Sequence, residues 1–342
     1  MNAPQTQMRR EINEIPDAVE RLLTDGAQAV TAAAAEVRDL APSYLLSVAR
    51  GSSDHASTYL KYASELLLGL PMASVGPSVK SIYGVDLNCK GALSISVSQS
   101  GKSPDIVQLT SAFRDKGAYT VAITNDGASP LAKASAAVLP IHAGPELSVA
   151  ATKTFVTSLV AGLWLLAEVK QDAALLDAIR KLPGHLAKAK DCDWSAAVEA
   201  IDGQSLYTLG RGPSWAVSNE AALKFKETCQ IHAESYSAAE VLHGPVSIVG
   251  ENFPVIAFAA ADAAEDSVGD MVQALVEKGA RVFATTDKAK GAEVLPHVRT
   301  DHWITDPISS IVSFYGMVET VATRRGVNPD APRHLNKVTE TV

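Results

Sequence analysis

Four short apolar runs in the first half of the chain, residues 44–49, 92–97, 119–123 and 137–141, each stop at a loop of small or polar residues. Those loops are Arg50-Gly51-Ser52-Ser53, Ser98-Gln99-Ser100-Gly101, Thr124-Asn125-Asp126-Gly127 and His142-Ala143-Gly144. Runs of this length, punctuated by Gly, Ser and Asn, predict strands, and their alternation with segments of helical composition predicts a parallel sheet covered by helices. The rhythm returns at residues 206–209, 253–259, 281–285 and 302–304. Two α/β halves are therefore expected.

Residues 9–40, rich in Ala, Leu, Val, Glu and Arg with Pro16 and Gly26 as breakers, predict one or two helices, too short a segment for a helix-turn-helix domain. Residues 154–167 are uncharged and apolar apart from Thr154, Thr157 and Ser158; the stretch is too short to cross a bilayer and predicts a buried core helix. Residues 171–202 are charged and helical in composition, with Pro183-Gly184 in the middle, and suit a helical connector. The expected organisation is a helical segment over 1–40, a first α/β domain over 41–170, a connector over 171–203, a second α/β domain over 204–330 and a tail over 331–342. Arg50-Gly51-Ser52-Ser53 with Ala56-Ser57 matches Arg211-Gly212-Pro213-Ser214 with Val217-Ser218, each after the first strand of its half. A duplication is the expected origin.

Composition narrows the function classes. Of 342 residues 47% are hydrophobic and 20% charged, enough for real cores. Thirty basic residues against thirty-eight acidic give a net charge of −8, and no run of five or six Lys or Arg occurs, which argues against a nucleic-acid partner. No apolar h-region follows Met1, so a cytoplasmic protein without membrane attachment is expected. Cys89, Cys192 and Cys229 are odd in number and widely spaced, which predicts reduced structural thiols and no metal site.

Ser98, Gln99, Ser100, Gly101 and Ser103 close a predicted parallel strand, with Ser103 at an N-cap position and Pro104 at the first helical position. Such a helix start offers N–H groups and the positive end of a dipole to an anion. Ser52 and Ser53 belong to the neighbouring strand's loop, where open α/β sheets bind ligands. Taken alone, each loop also reads as an ordinary capped turn. Within the breaker-free segment 219–230, Glu220, Lys224 and Glu227 fall at i, i+4 and i+7 and share a helix face. By itself that is a solvated stripe. A short helix over 238–242 is expected before His243-Gly244-Pro245, where the imidazole suits either a helix C-terminus or a proton shuttle. Lys337 alone would be a surface lysine in a frayed tail.

Together these segments resemble the sugar isomerase (SIS) family, most closely the isomerase portion of glucosamine-6-phosphate synthases. The resemblance runs through Glu11-Ile12-Asn13-Glu14-Ile15-Pro16, Ser98-Gln99-Ser100-Gly101, Pro145-Glu146-Leu147-Ser148-Val149-Ala150 with Thr152-Lys153, Ala222-Leu223-Lys224-Phe225-Lys226-Glu227, Ile231-His232-Ala233-Glu234-Ser235-Tyr236, His243-Gly244-Pro245 and Leu335-Asn336-Lys337. It implies two SIS domains, each a doubly wound, flavodoxin-like parallel sheet. It further implies that Ser53, Ser98, Gln99, Ser100 and Ser103 bind a sugar 6-phosphate, with Ser52 and Val149 near the sugar. By the same resemblance Glu227 carries a proton between C2 and C1, His243 opens the pyranose ring, and Lys337 lies at the open-chain carbonyl with Lys224 close by. The histidine comes from a neighbouring subunit in such enzymes, so a homodimer with shared sites is implied, and neither a metal nor an organic cofactor is required. Arg50, Lys102, Ser103 and Ala151 depart from the synthase pattern, which has cysteine, an acid, threonine and serine there.

The synthase pattern also includes a glutaminase domain, and here the isomerase pattern begins within a dozen residues of Met1. The expected reaction is therefore the one needing only water: glucosamine 6-phosphate to fructose 6-phosphate and ammonia. The alternatives are a galactosamine-6-phosphate deaminase or isomerase, a deglycase acting on a 6-phosphorylated fructosamine, and a non-catalytic phosphosugar sensor. Ammonia release on different substrates separates the enzymes, and binding without product marks the sensor.

Overall fold

The computed structural model describes residues 5–337. The chain divides into two compact units, one comprising residues 17–146, 153–180 and 336–337, the other residues 5–16, 147–152 and 181–335. Each is built on a five-stranded, wholly parallel sheet.

In the first unit the strands are β1 (Leu45–Val48), β2 (Met72–Ser74), β3 (Leu93–Val97), β4 (Tyr119–Thr124) and β5 (Ala137–Pro140), in the order β2-β1-β3-β4-β5. All five residues of β3 are buried, as a central strand covered on both faces requires. Helix Pro104–Asp115 follows β3 and seats Ile106, Leu109 and Phe113 against Leu46, Val48 and Ala122. Full burial of each such side chain contributes about 1.5–3 kcal/mol. Helix Lys153–Lys170 is buried from Lys153 to Ala167, as the apolar stretch predicted.

In the second unit the strands are β6 (Ser205–Gly210), β7 (His232–Ser237), β8 (Pro254–Ala257), β9 (Arg281–Ala284) and β10 (Glu293–Val294), in the order β10-β9-β8-β6-β7. Val268, Val272 and Leu275 of helix Glu265–Val276 pack on Leu209, Val255 and Val282.

The repeat is visible in the backbone. Gly51 caps helix Ser52–Leu68 at φ 57°, ψ −134°, and Gly212 caps helix Pro213–Lys224 at φ 58°, ψ −136°. A positive φ of this kind is open to glycine and strained for other residues, which explains why both loops keep it.

Several expectations change. Residues 302–304 are not a strand: His302 accepts the Ile304 N–H on its Nδ1 and starts a 3-10 turn, Trp303–Thr305, that feeds helix Asp306–Arg324. The amino-terminal segment forms three helices, Gln7–Asn13, Ile15–Asp25 and Ala27–Leu40, broken at Glu14 and Gly26. The helix expected over 238–242 is a 3-10 turn, Val241–His243. Strands β2, β7 and β10, all at sheet edges, lie in segments that carry no continuous apolar run. Pro183 sits inside helix Ala173–Ala189 and does not end it. No helix among the described residues is long and apolar enough to cross a membrane.

Candidate active site

In the first unit the register Val48↔Ser96 sets β1 beside β3, so the loops after them lie side by side at the carboxyl edge. Gly101 turns the second loop at φ 62°, where an added Cβ would stand 2.6 Å from the Ser129 Cβ. Within that loop the Gly101 N–H donates to Ser98 Oγ at 3.2 Å and the Lys102 N–H donates to Ser100 Oγ at 3.3 Å. Neither serine hydroxyl donates to a group among the described residues. Ser103 is the N-cap residue of helix Pro104–Asp115, yet its hydroxyl makes no capping bond. Ser52 and Ser53 open the first turn of helix Ser52–Leu68. Among the described residues the hydroxyls of Ser53, Ser98, Ser100 and Ser103 and the Gln99 amide keep donor capacity on two adjacent loops, which is the chemistry that holds an oxyanion.

Beside it Arg50 reaches from the β1 loop to Asp105, Nε and Nη2 contacting Oδ2 at 2.8 and 2.5 Å. Burial raises the Asp54 carboxyl above its ordinary value, against the opposing charges of His55 and Arg50. In the same unit buried Glu146 accepts from the Thr154 N–H at 3.1 Å and hydroxyl at 2.6 Å, and pairs with Lys337 Nζ at 2.9 Å. Lys337 is thereby tied to a carboxylate that also binds the start of helix Lys153–Lys170, and is not the loose surface lysine that its tail position alone would suggest.

The second unit holds the candidate proton-transfer groups. Helix Pro213–Lys224 passes directly into a π turn, Phe225–Cys229, and Gln230 closes it at φ 55°. One extra residue per turn marks many functional sites, and this one carries Glu227. Lys224 Nζ is bonded to Glu227 Oε2 and lies 3.3 Å from Glu220 Oε1. The side chains of Lys224 and Glu220 are 1% and 0% exposed, whereas Glu227 keeps 21% of its surface open. The three residues whose spacing alone would read as a solvated stripe form a buried carboxylate–ammonium–carboxylate row. Burial alone would pull the Lys224 pKa down, but the two carboxylates outweigh it and hold the ammonium well above the ordinary lysine value. Tyr315, from helix Asp306–Arg324, donates to Glu220 Oε1 at 3.3 Å.

The other named residues of this unit stand apart from that row. His243 is exposed, and no hydrogen bond or ion pair joins its imidazole to a group among the described residues. Val149 is half-buried, its N–H 3.4 Å from the Asp330 carbonyl, in a segment whose Ser148 bonds buried Glu11. Among the described residues no cluster of three or more His, Cys, Asp or Glu could hold a metal ion. Sequence reasoning missed the Arg50–Asp105 pair, the anchoring of Lys337 by Glu146, and Tyr315. Glu146 stands inside one of the quoted family segments, which was the available signal for it.

The model of the SIS domain matches residues 44–168 and again 201–323, and the chain belongs to that family. Among relatives, it is 34% identical over 306 residues to the isomerizing glutamine–fructose-6-phosphate aminotransferase of Pyrobaculum aerophilum, covering 85% of this chain and 50% of that protein. The Methanothermobacter thermautotrophicus enzyme of the same name is 32% identical over 339 residues, with 96% and 56% covered. The chain thus spans about half the length of these curated relatives. A solved structure of a candidate phosphosugar isomerase from Silicibacter pomeroyi DSS-3 superposes with a TM-score of 0.93 at 61% identity, covering 95% of this chain and all of that one. The glucosamine-6-phosphate deaminase of Thermotoga maritima, at TM-score 0.78 and 21% identity over 98% of this chain and all of its own, shares the fold. The two matched segments make it a protein of two SIS domains.

Proposed function

We propose that this protein deaminates glucosamine 6-phosphate to fructose 6-phosphate and ammonia by an aldose–ketose type proton transfer. The observation that carries the reading is the partly open Glu227 carboxylate, held on a π turn by a buried ammonium. Ser53, Ser98, Gln99, Ser100 and Ser103 hold the 6-phosphate through donors not used by other groups among the described residues, with Ser52 and Val149 near the sugar. Lys337 lies at the open-chain carbonyl. His243, exposed and unbonded among the described residues, opens the ring in a homodimer whose subunits share their sites.

In the open-chain aldose the C1 carbonyl acidifies the C2 hydrogen. Glu227 removes that proton, electrons pass to the carbonyl oxygen, and an enolamine forms; returning the proton to C1 leaves an imine at C2. Water adds to the imine, ammonia departs, and the 2-ketose remains. Lys224 keeps Glu227 in place and its charge balanced, and no redox step is needed.

The test is to incubate purified protein with glucosamine 6-phosphate and its galacto epimer and to quantify ammonia and ketose phosphate. Stoichiometric release from the gluco substrate supports the reading. Release from the galacto epimer alone moves the assignment to galactosamine 6-phosphate, and release from neither overturns the deaminase.

A further inference from the structure

Arg50 and Asp105 sit on different loops. Arg50 ends the β1 segment just before Gly51, Ser52 and Ser53, and Asp105 lies in the first turn of the helix that Ser103 caps. The Asp105 side chain is fully buried and that of Arg50 is 45% exposed. Both Asp105 oxygens are oriented: Oδ1 accepts the Ile106 N–H at 2.8 Å, and Oδ2 takes two nitrogens of one guanidinium. A planar group gripped twice fixes direction as well as distance. The duplicated half supplies an internal comparison. Arg211 stands before Gly212 as Arg50 stands before Gly51, and its Nη1 reaches Ser267 Oγ at 3.3 Å, in the first turn of helix Glu265–Val276. Both halves thus use an arginine to join one strand-to-helix loop to the next. Only the half with the serine-rich loops turns that link into an ion pair, made by a half-exposed guanidinium on a buried carboxylate.

We infer that Arg50 is a positioning residue for anion binding: through Asp105 it fixes the spacing of the Ser52–Ser53 and Ser98–Ser103 loops so that both act on one phosphate group. The inference rests on the phosphate role proposed for those loops. Arg50 acts here through its grip on Asp105, so removing either partner loosens the loops alike, although the two changes alter the local charge in opposite directions. Asp54 is the other carboxylate within electrostatic reach of Arg50, and it stays in place in every variant.

The experiment titrates inorganic phosphate into the wild-type protein, Arg50→Gln, Asp105→Asn and the double variant by calorimetry, with KM and kcat measured wherever turnover exists. The expected result is a Kd for phosphate raised about tenfold in both single variants and no further in the double, with KM rising in step and kcat within about threefold of wild type; a tenfold change corresponds to about 1.4 kcal/mol. Unchanged phosphate affinity in Arg50→Gln overturns the inference. So does tighter binding in Asp105→Asn, which would make Arg50 a direct charge on the anion, and so does a fall in kcat and thermal stability with affinity intact. Because phosphate binding is read without turnover, failure of the deaminase reading would leave this result standing. Absence of phosphate binding in the wild type would overturn the inference together with the role of the loops.

Discussion

Lys224 and Glu227 pair across the junction where an α-helix widens into a π turn, so the carboxylate is carried by irregular backbone and held by a side chain from the regular helix. The lysine has a second partner in Glu220, itself bonded by Tyr315, so one end of the row is locked into the core and the other is open.

Glu227→Gln keeps the shape of the side chain and removes its ability to accept a proton. We expect kcat for ammonia release to fall by about 10²–10⁴ with KM nearly unchanged, since a positioned acid/base contributes that range. A steady-state assay that returns wild-type turnover would reject the assignment.

Removing the ammonium leaves Glu220 buried without its counter-charge. Lys224→Ala should lower unfolding free energy by about 3–5 kcal/mol, read from urea denaturation. Lys224→Met combined with Glu220→Gln should recover much of that loss, because the fully buried carboxylate is then neutral and the remaining charge, on Glu227, is partly open to solvent.

Gly101→Ala tests the serine loop from the backbone side. With φ at 62° and Ser129 against the new methyl, the loop must shift, at a cost of about 1–3 kcal/mol. Weaker binding of inorganic phosphate should accompany the lower melting temperature, and unchanged affinity would show that the loop's shape is irrelevant to the anion.

Tyr236 gives a pH signature. Its hydroxyl donates to Glu234 Oε2 at 2.7 Å, and that bond, helped by burial, raises its pKa from 10.0 to about 12. The folded state therefore holds this proton more tightly than the unfolded chain. The stabilisation is complete below pH 10 and disappears as pH climbs to about 12. Ultraviolet titration of wild type against Tyr236→Phe should show the missing residue ionising last, and Glu234→Gln should move that step back toward 10.

Much of the fold was legible because interior parallel strands are rich in apolar residues and interrupted only by small hydroxyl side chains such as Ser94, Ser96 and Thr208. The runs containing β1, β3, β4, β6, β8 and β9 announced themselves in this way. Edge strands follow it less regularly: β5 lay in the apolar run 137–141, whereas β7 reads His-Ala-Glu-Ser-Tyr-Ser and pairs only with β6, so no continuous hydrophobic signal was available. The serine loop was readable from its cap and proline, since those depend on neighbours in the sequence. What could not be read was set by distant packing. Spacing alone put Lys224 on a helix face with two acids, but only the surrounding core, with Tyr315 in it, decides that the face is turned inward. The π turn is likewise a compromise with tertiary contacts, such as the Cys229 thiol bonded to the Val318 carbonyl at 3.4 Å, and carries no local sequence mark.

That widened turn also makes the proposed activity sensitive to a change that alters no chemical group. Deleting one residue between Phe225 and Cys229 would let ordinary helical winding continue, rotating everything downstream by about 100°. A protein so shortened could retain every acid, base and hydroxyl named above and still be inert, because the register of a single coil decides where its working group points.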